Sequence, residues 1–235
     1  MRFGLYFIPD PTHPLSKAGA EWLGRDIYSD RLFDQPDVHG LSKGRIGALT
    51  GSPRRYGFHA TMKAPFRLAS ECKVEALFSA FENFCGQTTV FDMPKLEVSK
   101  LGPFYALVPS IRTNALNEFA ADVVAYFEPF RAPLTEEEIA KRNPEWLNDS
   151  ERANLFDWGY PYVFDDFRFH MTLTEGVEGE ESALVGSFLQ TYFNEALAHP
   201  VLAERLALVV EHSPGAPFVV RTTGRFNPVL KTATA

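Results

Sequence analysis

The chain has 235 residues, 45% of them hydrophobic, with 21 Phe and a formal net charge of −7. That apolar supply is ample for a core and argues against a disordered chain. The acidic balance argues against a general nucleic-acid binder, whose domain should be basic, and the length allows one large domain or two small ones.

Arg2 to Pro9 runs apolar and reads as a first strand. Its apolar stretch, cut by Pro9 and Pro11, is too short for a signal peptide or a membrane span. Residues 10–53, rich in Pro, Gly and Asp, read as a long loop with a short helix near Ala18 to Leu23. Arg55 to Phe66 reads as a strand ending at Pro65. Val74, Leu77, Phe78, Phe81 and Phe84 then share one helical face, with Ser70 as the expected N-cap and Gly86 as the stop. Cys72 and Cys85 are placed on this helix. They form neither a C-x-x-C motif nor a disulfide framework, and two such thiols suit a reducing cytoplasm; the expectation is a soluble, cytoplasmic protein.

Strands follow at Val90 to Val98 and Phe104 to Pro109, with Gly102-Pro103 as the turn. Leu116, Phe119, Ala120, Val123, Val124 and Phe127 form the apolar face of a second helix. Residues 131–160 are charged and carry two helix starts, one at Thr135 to Glu138 with capping-box spacing and one capped by Ser150. They read as an insertion, either a connector or a lid. Tyr160 to Thr174 reads as a strand, Glu181 to Leu197 as a third helix, Leu206 to Val210 and Phe218 to Thr223 as a closing hairpin, and Lys231 to Ala235 as a frayed tail. Each half runs strand, helix, strand, turn, strand. The expected architecture is α+β: one domain over 1–235, bilobed and duplicated, with two mainly antiparallel sheets facing a central cleft and helices outside. The motif segments lie at about 54–66 and 160–174.

Within those segments a pattern occurs twice: Phe58-His59-Ala60-Thr61-Met62 and Phe169-His170-Met171-Thr172-Leu173. A His-x-Thr triplet alone is close to chance in a chain with six His; the information lies in the matching flanks. In a strand, side chains alternate faces, so His59 and Thr61 share one face, as do His170 and Thr172, while the apolar residues anchor the other. Paired imidazoles can act as general base and general acid near neutral pH. The threonine hydroxyls can hold the non-bridging oxygens of a phosphoryl group. Period-2 counting adds Lys63, Arg168 and Thr174 to that face as phosphate- or substrate-binding candidates. Arg54, Arg55 and Arg67 also flank the first motif; Arg55 and Tyr56 are weaker substrate-binding candidates. His13, His39, His199 and His212 lack partner motifs. There is no metal motif, Walker loop, dinucleotide fingerprint or Gly-x-Ser-x-Gly elbow, so no metal and no cofactor are expected. Acid–base chemistry without a metal suits a strained five-membered cyclic phosphodiester better than an unstrained one.

The paired motifs, in a chain of this size and class, resemble the two-histidine (2H) phosphoesterase superfamily, which includes RNA 2′,3′-cyclic phosphodiesterases. The longer contexts, Arg54-Arg-Tyr-Gly-Phe-His-Ala-Thr-Met-Lys63 and Phe167-Arg-Phe-His-Met-Thr-Leu-Thr174, resemble one bacterial branch associated with phosphonate metabolism and carbon–phosphorus lyase genes. The resemblance implies catalytic roles for His59 and His170, phosphate binding by Thr61 and Thr172, and no metal. Together with the acidic balance it favours a small ribose- or nucleotide-derived cyclic phosphate over RNA as the partner. Still open are which histidine is acid and which base, a binding module without turnover, RNA end ligation, and the oligomeric state.

Overall fold

The two histidine motifs end side by side in the middle of a sheet. The computed structural model describes residues 1–228; the tail expected at Lys231 to Ala235 lies outside them. The strands are β1 (Arg2–Phe7), β2 (Ala60–Phe66), β3 (Phe91–Asp92), β4 (Leu96–Leu101), β5 (Phe104–Pro109), β6 (Met171–Thr172), β7 (Leu202–Ala203), β8 (Arg205–Glu211) and β9 (Val219–Arg225). The helices are α1 (Pro14–Leu23), α2 (Lys43–Leu49), α3 (Gly51–Tyr56), α4 (Val74–Gln87), α5 (Asn114–Tyr126), α6 (Glu136–Ala140), α7 (Asp149–Trp158) and α8 (Gly179–Phe193).

The region expected as a long loop at 10–53 holds two helices, with α3 opening at Gly51. α1 starts at Pro14, whose missing N–H costs nothing at that position. His13 caps it, its Nδ1 accepting the Leu15 N–H at 3.0 Å, and Gly24 closes it with φ 76°. Neither Ser70 nor Gly86 bounds α4. Lys73 stands at its N-cap without a side-chain bond, and the helix runs on to Gln87, where Thr88 Oγ1 bonds back to the Phe84 carbonyl. Cys72 precedes this helix; only Cys85 lies in it. The Thr135–Glu138 capping box forms as expected. The next helix is boxed by Asn148 and Glu151, leaving Ser150 to donate to Asp166 at 2.6 Å.

The class is α+β, but two separate facing sheets are not what forms. A seven-stranded sheet runs β4-β5-β6-β2-β1-β8-β9, beside a two-stranded β3-β7 sheet. All its pairings are antiparallel. Each late hairpin crosses to the other motif: β4-β5 lies beside β6, and β8-β9 lies beside β1, the neighbour of β2. β2 and β6 join at one residue pair, Ala60 with Met171. The strand expected over Tyr160 to Thr174 shrinks to two residues, because Phe164, at φ 54°, opens a 3-10 turn over Phe164–Asp166.

One face of the sheet packs on helices. Phe58, Ala60, Met62, Phe169, Met171 and Leu173 join Phe81 of α4, Val123 of α5 and Leu189 of α8 in one buried cluster. Full burial of each large apolar side chain contributes about 1.5–3 kcal/mol, which fixes the apolar side of both motifs inward. Trp22 Nε1 donates to the Leu173 carbonyl at 2.8 Å, tying α1 to the second motif. On the other face a smaller cluster gathers Tyr6, Ile8, Ile27, Val209 and Phe218. Among the described residues no helix is long and apolar enough to cross a membrane.

Candidate active site

The antiparallel pairing of Ala60 with Met171, carried one residue each way, sets His59 beside Thr172 and Thr61 beside His170. All four then share the face opposite the helices. Diagonal neighbours in such a pair are roughly 7–8 Å apart, a span that fits a phosphate between two imidazoles. His59, Thr61, His170 and Thr172 do line one cavity of about 270 Å³, with Ser52, Tyr56, Phe104, Thr174 and Glu175 on its walls.

Both rings are held in the same way. His59 Nδ1 lies 2.9 Å from the Gly57 carbonyl, and His170 Nδ1 lies 2.8 Å from the Arg168 carbonyl. A carbonyl only accepts, so each Nδ1 carries the proton and each neutral ring keeps its lone pair on Nε2. His59 Nε2 lies 3.0 Å from Thr61 Oγ1, whose hydroxyl can donate to it. The bond from Nδ1 to the carbonyl two residues back is local to an extended chain, which explains its recurrence. Gly57 makes the first one: at φ 79° and ψ 174° it turns the chain from α3 into the motif in a region only glycine adopts easily.

The His59 ring lies flat on Tyr6, with centroids 3.7 Å apart and planes 21° from parallel. Tyr56 stands 6.3 Å away on a near-parallel plane. Burial pushes the His59 imidazole down to about 4, against the weaker upward pull of the Gly57 carbonyl; His170 adds a small downward push. His170 has Phe104 at 6.0 Å, tilted by 50°.

The other expected residues divide. Thr174 lines the cavity, but its Oγ1 accepts the Tyr105 N–H at 3.0 Å. Tyr56 lines the cavity and Arg55 does not. Arg55 reaches Glu211 and stacks on Tyr56, 5.0 Å from its centroid. Lys63 is not on the phosphate face, contrary to the period-2 count. β1 pairs Tyr6 with Thr61 but Leu5 with Lys63, so Met62 is an extra residue, and this bulge turns Lys63 toward the helices. There Lys63 is 3% exposed and donates to Glu128 at 2.7 Å and to the Val124 carbonyl at 3.0 Å. Arg168 is exposed and lines a separate groove with Arg112, Asp165 and Asp166. Arg54 is held by the Leu23 carbonyl, Gln35 and Thr50.

Tyr6, Ser52, Phe104 and Glu175 are cavity or stacking residues that sequence reasoning did not name. Alternation in β1 does set Tyr6 opposite Phe3, Leu5 and Phe7. Nothing local shows that β1 would neighbour β2. Among the described residues no group of three or more His, Cys, Asp or Glu is gathered as a metal site would need.

The chain is similar to two proteins named "Ribose 1,5-bisphosphate phosphokinase PhnN". That of Janthinobacterium sp. (strain Marseille) is 37% identical over 222 residues, covering 93% of this chain and 49% of the relative. That of Laribacter hongkongensis (strain HLHK9) is 31% identical over 227 residues, covering 93% and 50%. The chain thus spans about half the length of these curated relatives. Residues 61–219, a span that includes Thr61, His170 and Thr172, match the family described as "Protein of unknown function (DUF1045)", and the chain belongs to that family.

Proposed function

We propose that the cavity between β2 and β6 is the active site of a metal-independent cyclic phosphodiesterase acting on a small ribose- or nucleotide-derived cyclic phosphate. The observation that carries this reading is the matched pair of imidazoles, each fixed to the main chain through Nδ1, so that Nε2 is the atom left for chemistry, at one shared cavity. In the reaction a water oxygen attacks phosphorus in line. One Nε2 takes the water proton, and the other ring, protonated, gives its proton to the departing ester oxygen. The P–O bond to that oxygen breaks, leaving a phosphomonoester and a free hydroxyl. Thr172 donates to a non-bridging oxygen, and Thr61 does so once its hydroxyl turns from His59 Nε2 to the bound phosphoryl group. Paired acid–base catalysis supplies about 10²–10⁴-fold per partner, which suits a ring ester already raised in energy by strain.

The relatives' names support the ribose class. They are named for a phosphokinase of ribose 1,5-bisphosphate, yet this half-length match carries no Walker loop. A 1,2-cyclic phosphate of ribose 5-phosphate, opened at the bond between phosphorus and O2, yields ribose 1,5-bisphosphate, so the two chemistries would be consecutive. The resemblance to the phosphonate-metabolism branch supports a role for that sequence in phosphonate metabolism. RNA fits less well, since Arg54, Arg55 and Lys63 beside the first motif are committed to internal partners.

Phosphorus NMR on a panel of cyclic phosphates tests the reading. Wild type should open at least one ribose-derived member in the presence of chelator. His59→Ala and His170→Ala should each lower kcat by at least about 10²-fold with folding intact, and the losses should not add. Full turnover in either variant, or binding without turnover across the panel, overturns the proposal.

A further inference from the structure

We infer that Tyr6 is a positioning residue for His59, holding its imidazole in one plane and in the neutral form, and so makes His59 the base and His170 the acid of the pair. The inference rests on the proposed acid–base reading and assigns the roles within it.

The two motifs are alike in sequence and in their Nδ1 bonds; they differ in the Thr61 hydroxyl at His59 Nε2 and in the ring that packs on each imidazole. Tyr6 is the closer of the two packed rings. Its ring is fully buried and lies against the His59 ring at 3.7 Å. It pairs across the strands with Thr61, the residue whose hydroxyl faces His59 Nε2. Gly4 gives the ring room to lie down: a Cβ on Gly4 would stand 3.0 Å from Tyr6 Cε1 and 3.3 Å from Val209 Cγ2. Among the described residues the Tyr6 hydroxyl has no hydrogen-bond partner, while its ring face lies on His59.

A covered ring face cannot be hydrated, and loss of hydration disfavours the imidazolium. A π-face also attracts a cation. Burial is the largest influence on the His59 imidazole and holds it below the usual range. The other groups facing His59 are Tyr56 of α3, with Arg55 behind it, His170 just before β6, and Glu175 across the cavity. Glu175 is the carboxylate among them, and its Oε1 accepts the Ser52 N–H at 2.7 Å. A ring that stays neutral at working pH accepts the proton of water; the remaining ring then donates.

The test compares Tyr6→Phe and Tyr6→Leu with wild type by NMR titration of the His59 ring and by the pH profile of kcat/KM. Tyr6→Phe keeps the stacked face and should match wild type in both, with His59 titrating near 4. Tyr6→Leu, whose smaller side chain covers less of the imidazole face, should move the His59 titration upward from about 4 and the acidic limb of the profile with it. It should also lower kcat by about 10–10²-fold through lost alignment, while KM stays nearly constant. If Tyr6→Leu fails to fold, Gly4→Ala, which pushes on the Tyr6 ring, should shift the titration the same way. An unchanged His59 titration in a folded Tyr6→Leu or Gly4→Ala protein overturns the inference while leaving turnover in place. A wild-type protein that opens no cyclic phosphate ends the proposed function instead, whatever the titration shows.

Discussion

Gly57→Ala tests whether the entry into the first motif is built as described. With φ 79° and ψ 174°, the position costs a non-glycine residue about 1–3 kcal/mol of backbone strain. The new methyl would also stand 2.5 Å from Ile27 Cβ and 2.7 Å from its Cγ1 and Cδ1. These atoms belong to the packed cluster on the cleft side of the sheet, and such overpacking costs another ~1–3 kcal/mol. The sum, about 2–6 kcal/mol, is a large part of a stability of ~5–15 kcal/mol. At about 2–4 °C per kcal/mol for a domain of this size, Tm should fall by at least about 4 °C. Because the Gly57 carbonyl holds His59 Nδ1, turnover should fall further than the folded fraction does. The control is Gly47→Ala, inside α2, where an added Cβ meets nothing within 4 Å; it should stabilise by about 0.5–1 kcal/mol. Differential scanning calorimetry and a turnover assay read both variants. A Gly57→Ala protein with the Tm and activity of wild type would refute the reasoning.

Lys63→Ala should destabilise by about 1–3 kcal/mol, less than a lone buried pair would lose because Arg131 remains on Glu128. It should leave KM for a cyclic phosphate unchanged, and a large rise in KM would return Lys63 to the phosphate. Arg168→Ala should leave kcat/KM as in wild type, since its side chain lines another groove. Burial would raise the Glu211 carboxyl, but hydrogen bonds from Arg2 and Arg55 outweigh it and hold the group below the usual range. Its stabilisation is therefore full above about pH 4.3, the unfolded value, and is lost as pH falls through the lower folded value. Glu211→Gln should be less stable than wild type at neutral pH, with the gap closing in acid, as urea midpoints at a series of pH values would show. His59 contributes a related slope. Its folded value near 4 lies below the unfolded ~6.5, so the unfolded chain binds more protons between them. Stability falls as pH drops through that window, and His59→Gln should remove this part of the slope.

Much of the site was legible because alternation is strict over five residues. Phe58, Ala60 and Met62 are buried while His59 and Thr61 are only half-buried, and the second motif repeats the split. The same count failed two residues further on. A bulge after Thr61 leaves no mark in the sequence, and it sent Lys63 to the helix face. On the other side the chain before His170 is not a paired strand at all, so period 2 had no purchase on Arg168. The helices with long apolar faces, α4, α5 and α8, were readable from spacing. α1 was found only in part, although His13, Pro14 and Gly24 are sound start and stop signals. The sheet order was beyond local pattern, because pairing the last hairpin with the first strand is a choice made by the whole core.

That order explains how a repeated motif could come to do two different jobs. The single antiparallel pair at Ala60 and Met171 relates the motifs by an approximate twofold, so each histidine meets the other motif's threonine and each ring has the same tautomer. Left to themselves, the two rings would be equivalent, and an equivalent pair is poorly suited to give one proton and take another. β1 breaks the equivalence. It adds a strand beside β2 and has no counterpart beside β6, where the neighbour is β5. The residue it delivers to the cleft face is Tyr6, flat on His59, while β5 delivers Phe104 to His170 at 6.0 Å and a steep tilt. The asymmetry that the proposed acid–base chemistry requires would thus come largely from sheet topology, with the His-x-Thr motifs supplying the chemical groups.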